Sequence, residues 1–181
     1  GQIVINELQV WPVNDAYGEA FSEFIELTNT GTDTVDLEDW TIQTNSGSAV
    51  ISGVIIAPDG FAILAISDNS TLNLGLDVDF AWGFGAGVEL NNTSDNISLF
   101  DAEGSLVDSV SYDNSIWLIE QGKSIELINT LYDNNDPSKW QVGTVTYDSE
   151  NNLGSPGSMN DSWTPVPEIT AIPETVDFGV V

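Results

Sequence analysis

The sequence predicts an all-β sandwich, and three observations support that fold class. Short apolar runs recur along the 181 residues, and many of them alternate with polar residues, as in Glu23-Phe24-Ile25-Glu26-Leu27. Clusters of Gly, Asn, Asp and Pro separate the runs and are typical of turns. No amphipathic helical pattern of convincing length interrupts the series. Many short strands joined by turns indicate a sandwich or a barrel.

The clearest strand–turn–strand segment spans residues 22–42. Its first strand places Ile25 and Leu27 on one face and Phe24 and Glu26 on the other, because successive side chains of a strand point to opposite faces. A polar turn follows, and the second strand begins next to a tryptophan large enough to anchor one end of a core. The tryptophans expected to lie in the core are Trp40, Trp82 and Trp140.

The other apolar runs extend this pattern along the chain. In order, they cover residues 3–10, 49–51, 53–56, 61–66, 78–82, 88–92, 95–101, 105–112 and 123–127. The run at 61–66 is nearly continuous, as expected for a strand in the centre of a sandwich. A Gly- and Pro-containing segment at 154–160 closes the domain.

Two ordered motifs resemble the lamin tail domain. The first has the form F-I/V-x-L-x-N followed by L-x-x-W-x-I, and its positions here are Phe24, Ile25, Leu27, Asn29, Leu37, Trp40 and Ile42. The second runs from Leu90 to Tyr112 and is similar to bacterial members of that family. The resemblance covers about residues 2–160 and implies an immunoglobulin-like β-sandwich of the lamin-tail type.

The chain divides into three segments. We expect residues 2–163 to form the lamin-tail-like sandwich and residues 164–167 to form a stiff, Pro-containing linker. Residues 168–181 alternate again and are similar to the first strands of a second, truncated immunoglobulin-like module. Such a segment would pair with a sheet edge, which accepts added strands, either of this sandwich or of a neighbouring copy. We favour the neighbouring copy, so tail-mediated self-association is an expectation.

The net charge of the chain limits the kinds of partner that it can bind. The chain has 29 acidic residues against two lysines and no Arg or His, so its net charge is −27. Nucleic-acid affinity comes largely from basic side chains that displace counterions, and anionic membranes repel negative surfaces. No run approaches the ~18 apolar residues of a membrane helix. We therefore expect no nucleic-acid binding and no membrane insertion.

Composition also limits catalysis. Without His, Cys or Arg, the chain has no imidazole base, thiolate nucleophile or guanidinium clamp. Carboxylates remain, and Glu7, Glu23 and Glu26 could form the acid–base pair of a glycosidase. The alternative is that they occupy solvated or edge positions on strands. We favour that alternative, and so predict that the chain is not an enzyme and has no catalytic residues.

Calcium is the cofactor that this composition favours, because it takes oxygen ligands only. Two acidic loops are candidates, although neither has the spacing of an EF-hand. The alternative for both loops is a solvated segment with Asx turns. The candidate ligands are Asn14, Asp15, Glu19 and Glu23 in the preferred first loop, and Asp133, Asn135 and Asp136 in the second.

Tryptophans beside loops or prolines raise a carbohydrate hypothesis, since a flat indole can stack on a sugar ring. The candidates are Trp11, Trp117 and Trp163. Burial as structural tryptophan is the competing interpretation for each of them.

The resemblance to bacterial lamin-tail relatives implies a non-catalytic interaction or spacer module of a secreted or cell-surface bacterial multidomain protein. Its location would be extracellular or at the cell surface, with a protein or polysaccharide partner that the sequence does not name. The alternative is a carbohydrate-binding module with a structural calcium. Exposure of the three candidate tryptophans on one face would favour this alternative.

Overall fold

Strands dominate the computed structural model, which describes residues 3–165. In chain order the strands are β1 Ile3–Gln9, β2 Phe24–Asn29, β3 Val35–Asp36, β4 Thr41–Gln43, β5 Ser48–Val50, β6 Ile55–Ile56, β7 Phe61–Ala65, β8 Phe80–Ala81, β9 Ser94–Phe100, β10 Leu106–Asp113, β11 Ile125–Leu127 and β12 Trp140–Val142. Two short 3-10 helices lie at Glu19–Ser22 and Pro137–Lys139. Among the described residues, no helix has the length and apolar character needed to cross a bilayer. The expected second module lies outside the described residues.

Two sheets face each other. Sheet I has the order β12-β11-β1-β2-β7-β8, and sheet II has the order β10-β9-β4-β5, while β3 and β6 form a separate pair. Among the described residues, every pairing between these named strands is antiparallel except that of β7 with β8, which is parallel. The predicted all-β class is confirmed, and β11 and β12 complete one end of sheet I.

The main core fills the space between the sheets. Ile25 and Leu27 on β2 are fully buried there, as their alternation predicts. Sheet II contributes the buried residues Ile42, Ile97 and Leu99 from β4 and β9. Burial of apolar surface at about 25 cal/mol per Å² makes this layer the principal stabilising contribution to the fold.

Sheet I is also covered on its outer face. Phe24 lies there in a second buried cluster with Ile63, Ala65 and Leu76. The ring of Tyr147, which follows β12, meets the ring of Phe24 edge-on with a centroid distance of 6.0 Å. The chain after β12 therefore folds back over the sheet, and both faces of β2 are buried.

Strand β1 contains a bulge where it pairs with β2. Ile5 pairs with Leu27 and Glu7 pairs with Glu26, so Asn6 is the extra residue between them. A bulge of this kind re-aims side chains and leaves one residue outside the ladder. Asn6 uses this freedom to contact the chain that covers sheet I, as described below.

The predicted core tryptophans differ in burial. Trp82 and Trp140 are buried, as expected, and Trp140 packs against Trp117 with a ring-centroid distance of 5.6 Å. Trp40 packs against the main core but is only half-buried. Trp40 therefore lies at the periphery of the core rather than at its centre.

One predicted strand is absent from the described residues. Residues 88–92 form no strand, although Val88 and Leu90 are buried. The Leu90 N–H donates to the Glu23 carboxylate at 2.9 Å instead of to a neighbouring strand. Val88 and Leu90 are apolar because they contribute to the core. Apolar character alone does not distinguish a buried loop from a strand.

Candidate functional site

Three glutamates meet on the outer face of sheet I. Glu7 on β1 pairs with Glu26 on β2 and with Glu126 on β11, so the three residues form one row across adjacent strands. All three are fully buried. Directly paired strand residues have Cβ atoms only about 4.5–5.5 Å apart, so the row concentrates three carboxyl groups in the interior.

The row is covered by residues 154–162, here called the closing loop. Its backbone N–H groups donate to the carboxyls: Ser155 to Glu7 at 3.0 Å, Gly157 to Glu26 at 2.7 Å and Ser162 to Glu126 at 3.1 Å. Backbone donors directed at oxygens are strong hydrogen-bond partners in a buried site. These three bonds attach the closing loop to sheet I.

Two asparagines complete the attachment. Asn6 Nδ2 donates to Glu26 Oε1 at 2.7 Å and to Asn160 Oδ1 at 2.8 Å. Asn160 Nδ2 in turn donates to the carbonyls of Asn6 at 3.1 Å and Leu127 at 2.9 Å. The side chain of Asn160 therefore joins the closing loop to both β1 and β11.

Two glycines let the backbone approach this closely. A Cβ on Gly143 would lie 2.6 Å from the Cα of Gly154, closer than any real side chain allows. A Cβ on Gly154 would overlap the Glu7 carboxylate. The segment after β12 reaches the glutamate row because neither position carries a side chain.

Electrostatics favour the neutral form of these carboxyls. Burial raises the pKa of Glu7 well above its ordinary value of 4.5, and the nearby charge of Glu26 raises it further. Burial likewise raises the pKa of Glu26 and of Glu126. The cause is desolvation, which disfavours a charge that water can no longer solvate.

Glu23 lies apart from the row, between the first 3-10 helix and the start of β2. It is buried, and its Oε2 accepts the Leu90 N–H at 2.9 Å. Burial raises its pKa to about 8, and the charges of Glu19, Glu89 and Asp95 add to the shift. Glu23 therefore supports the 88–92 segment rather than pairing with Glu7 or Glu26.

The expectation that Glu7, Glu23 and Glu26 occupy solvated or edge positions is wrong. All three are buried because the closing loop and the 88–92 segment cover them. Alternation along a strand shows which residues share a face, but it does not show what covers that face. The sequence also missed Glu126, whose only signal was its place in a short apolar strand beside Gly122.

The first predicted calcium loop is held by its own hydrogen bonds. Asn14 is buried; its Nδ2 donates to Ser22 Oγ at 2.8 Å and its Oδ1 accepts the Tyr17 N–H at 3.1 Å. Glu19 accepts a hydrogen bond from Asn92 at 3.0 Å, and Asp15 is exposed. Glu19 and Glu23 line an acidic cleft of about 340 Å³, which does not include Asn14 or Asp15.

The second predicted calcium loop caps a sheet edge. Asn135 Oδ1 accepts the Ser111 N–H at 2.9 Å, and its Nδ2 donates to the Ser109 carbonyl at 2.8 Å. Asp133 and Asp136 accept N–H groups two residues ahead of themselves, as in Asx turns. The side chain of Asn135 thus occupies edge positions of β10 that another strand would otherwise use.

Across residues 3–165, no group of three or more Asp, Glu, His or Cys side chains is placed to hold a metal ion. The calcium site stays a prediction, with Glu19 and Glu23 the candidates that share a cleft.

We expect excess calcium to raise the melting temperature of the domain, since a ligand that binds only the native state stabilises it by mass action. Sodium and magnesium at matched ionic strength are the controls, because screening alone relieves repulsion in a chain of charge −27. Glu19→Gln should remove the calcium-specific part of the rise. An equal rise with calcium and with the controls would show that no specific site exists.

The three tryptophan candidates for sugar stacking differ in solvent exposure. Trp117 is buried against Trp140, so its assignment as a sugar-stacking residue is wrong: its indole is needed to fill the core. Trp11 is half-buried, and Trp163 is 40% exposed. The three indoles therefore do not form a common exposed platform, and Trp163 is the candidate with the most accessible ring.

Trp163 lines a groove beside the closing loop. The groove has a volume of about 440 Å³ and includes Phe61, Leu131 and Met159 as its other apolar residues. Leu131 is 78% exposed and Met159 is 61% exposed. Exposed apolar side chains gathered at a concave site are characteristic of binding surfaces.

The family model of the Lamin Tail Domain matches residues 1–114, more than half of the chain. The chain belongs to the lamin tail domain family, and its fold is the immunoglobulin-like β-sandwich of that family. The described sandwich continues past the matched region, because β11 and β12 belong to sheet I. A comparison with curated protein sequences finds no match. Such a domain is consistent with a non-catalytic interaction module.

Proposed function

We propose that the chain is a non-catalytic interaction or spacer module of a secreted or cell-surface bacterial protein. The observation that carries this proposal is the burial of the glutamate row under the closing loop. A glycosidase needs two carboxyls that flank a substrate cleft, with a separation suited to its mechanism. Glu7 and Glu26 instead accept hydrogen bonds from Ser155, Gly157 and Asn6.

The groove beside Trp163 is the surface best suited to an interaction. Phe61, Leu131, Met159 and Trp163 supply apolar contact area, and Asp59 supplies a carboxylate. Large apolar side chains in a concave patch contribute most of the affinity of typical binding sites. A protein segment is the partner we propose for this groove, outside the cell or at its surface, and a polysaccharide is the partner that the second candidate would take.

A carbohydrate-binding module with a structural calcium is the second candidate. One observation favours it, namely the exposed indole of Trp163 next to the polar side chains of Thr130 and Asp59. An indole face supplies stacking area, and neighbouring polar groups supply orientation. The burial of Trp117 weakens this candidate, because it removes one of the three rings on which the hypothesis depended.

We also propose that nucleic acid and membranes are not partners. The charge of −27 and the two lysines of the chain support this. Lys123 pairs with Glu120 at 2.6 Å, and Lys139 lies 5.0 Å from the ring centroid of Tyr132. Neither lysine therefore belongs to a basic patch of the kind that contacts phosphates.

A titration with soluble oligosaccharides, followed by NMR of the tryptophan indole N–H groups, tests both candidates. For an interaction module whose partner is a protein segment we expect no saturable shift and no turnover of any glycan. A saturable shift at Trp163 that Trp163→Ala abolishes and Trp11→Ala preserves would favour the carbohydrate module. Turnover that Glu7→Gln abolishes would contradict both candidates.

Location is tested separately. We expect an antibody against the domain to label intact cells of the source organism. Labelling only after the cells are lysed would contradict a secreted or surface location.

A further inference from the structure

The glutamate row contains more hydrogen-bond contacts than its donors can satisfy if every carboxyl is ionised. Ser155 Oγ lies 2.9 Å from Glu126 Oε1 and 3.3 Å from Glu7 Oε2. A hydroxyl carries one proton and can donate it to only one of the two oxygens. The second contact is a hydrogen bond only if that carboxyl supplies the proton itself.

Asp161 places a further carboxyl beside the row. Its carboxylate accepts from Thr144 N–H at 2.9 Å and from Thr144 Oγ1 at 2.5 Å. Although partial burial opposes the effect, hydrogen bonding with Glu126 and Thr144 lowers the pKa of Asp161. The Thr144 bonds therefore favour the anion at Asp161, and a neighbouring anion disfavours ionisation of Glu126.

Within residues 3–165, the titratable groups that act on the row are carboxylic acids and one tyrosine. Asp161 faces it from the closing loop, and Asp79, which precedes β8, acts on Glu26. Tyr147, in the segment after β12, senses the charges of Glu7 and of Asp148. The two lysines of the chain are engaged elsewhere, with Glu120 and Tyr132. Each ionisation in the row therefore adds a like charge that no cation compensates.

We propose that Glu7, Glu26 and Glu126 form a proton-binding site that fastens the closing loop to sheet I, and that loss of these protons as pH rises releases the loop. The proposal does not rest on the proposed binding function, since the three carboxyls lie beneath the loop and do not line the groove, although Asn6 and Asn160 do. The closing loop is followed by Trp163 and Pro165, so its release would also detach the end of the described domain and one wall of the groove.

The sign of the pH effect follows from burial. The pKa of each carboxyl is raised in the folded domain above its ordinary value of 4.5. The attachment is therefore complete below that ordinary value and weakens as pH rises toward the raised one, because only the closed state retains the protons. This is opposite to the behaviour of a carboxylate held by a salt bridge.

Amide hydrogen exchange of the full chain tests the release. We expect the opening equilibrium of the Ser155, Gly157 and Ser162 amides to increase roughly tenfold per pH unit for each proton lost, between pH ~6 and ~8 after correction for intrinsic rates. Glu126→Gln, which mimics the neutral acid, should keep these amides protected and reduce the slope. Glu103→Gln makes the same charge change at an exposed position and should leave the slope unchanged.

Two results would overturn the proposal. One is a Glu126→Gln variant that folds but leaves the loop open at every pH, since this would show that the ionised carboxylate is the required acceptor. The other is a carbon-13 titration of the wild-type side-chain carboxyls in which all three row residues ionise near pH ~4.5. The second measurement needs no substitution, so it decides the matter even if the Gln variant does not fold.

Discussion

Trp140→Ala lowers the free energy of unfolding by about 3–5 kcal/mol, the usual cost of truncating a buried aromatic side chain. The indole is 2% exposed and packs against Trp117. Its Nε1 also donates to the Asn134 carbonyl at 2.9 Å, so truncation leaves a buried acceptor unpaired as well as a cavity. Urea unfolding followed by the far-ultraviolet circular dichroism signal measures the change.

Two further variants serve as controls for the loss of ring volume and for the loss of the Nε1 hydrogen bond. Trp140→Phe keeps most of the ring volume but removes the N–H, so it should cost much less than Trp140→Ala. Trp40→Ala should also cost less, because Trp40 is only half-buried at the edge of the core. A loss below ~1 kcal/mol for Trp140→Ala would mean that the Trp117–Trp140 contact is not part of the stabilising core.

Asn160→Ala is expected to cost about 2–5 kcal/mol, since each buried polar group left without a partner costs roughly 1–3 kcal/mol. Asn160 is 5% exposed, and its Nδ2 donates to the carbonyls of Asn6 and Leu127. Its Oδ1 accepts from Asn6 Nδ2, which also holds Glu26. The substitution therefore removes the side-chain contacts of Asn160 with β1 and β11 in one step, while the backbone bonds of the loop to the glutamates remain.

Ser158→Ala is the control within the same loop. Ser158 is exposed, and its hydroxyl donates to the Ser155 carbonyl at 2.9 Å. It should change the unfolding free energy by less than ~0.5 kcal/mol, as is usual for surface positions. Equal effects of Asn160→Ala and Ser158→Ala on chemical unfolding would show that the closing loop contributes little to global stability.

Local sequence pattern was sufficient for the strands of the main core. Ile25 and Leu27 alternate with Phe24 and Glu26, and this alternation assigns them to opposite faces whatever covers those faces. Turn residues at 29–33 and 57–60 mark strand ends, because Gly and Pro restrict or extend the available backbone angles. The family motifs added the order of these elements, and the family match over residues 1–114 confirms that assignment.

The calcium and tryptophan hypotheses depended on composition, and composition does not locate a side chain. Asn135 was a candidate ligand because Asn and Asp surround it, yet it caps the edge of β10 through Ser109 and Ser111. Trp117 was a candidate for sugar stacking because loops surround it, yet Trp140 reaches it from a distant part of the chain. Both outcomes depend on partners that lie 20 or more residues away in the sequence.

The sequence by itself determined the all-β class, the family, the alternation of β2 and the acidic character of the chain, because each follows from neighbouring residues or from simple counts. Only the tertiary structure decided the environment of the glutamates. Glu7, Glu26 and Glu126 become one row through strand pairing between segments far apart in sequence, and residues 154–162 then close over them. The same carboxyl on an open strand would be solvated and ionised. Burial without a counter-cation raises its pKa, because desolvation is a property of the surrounding fold and not of the residue.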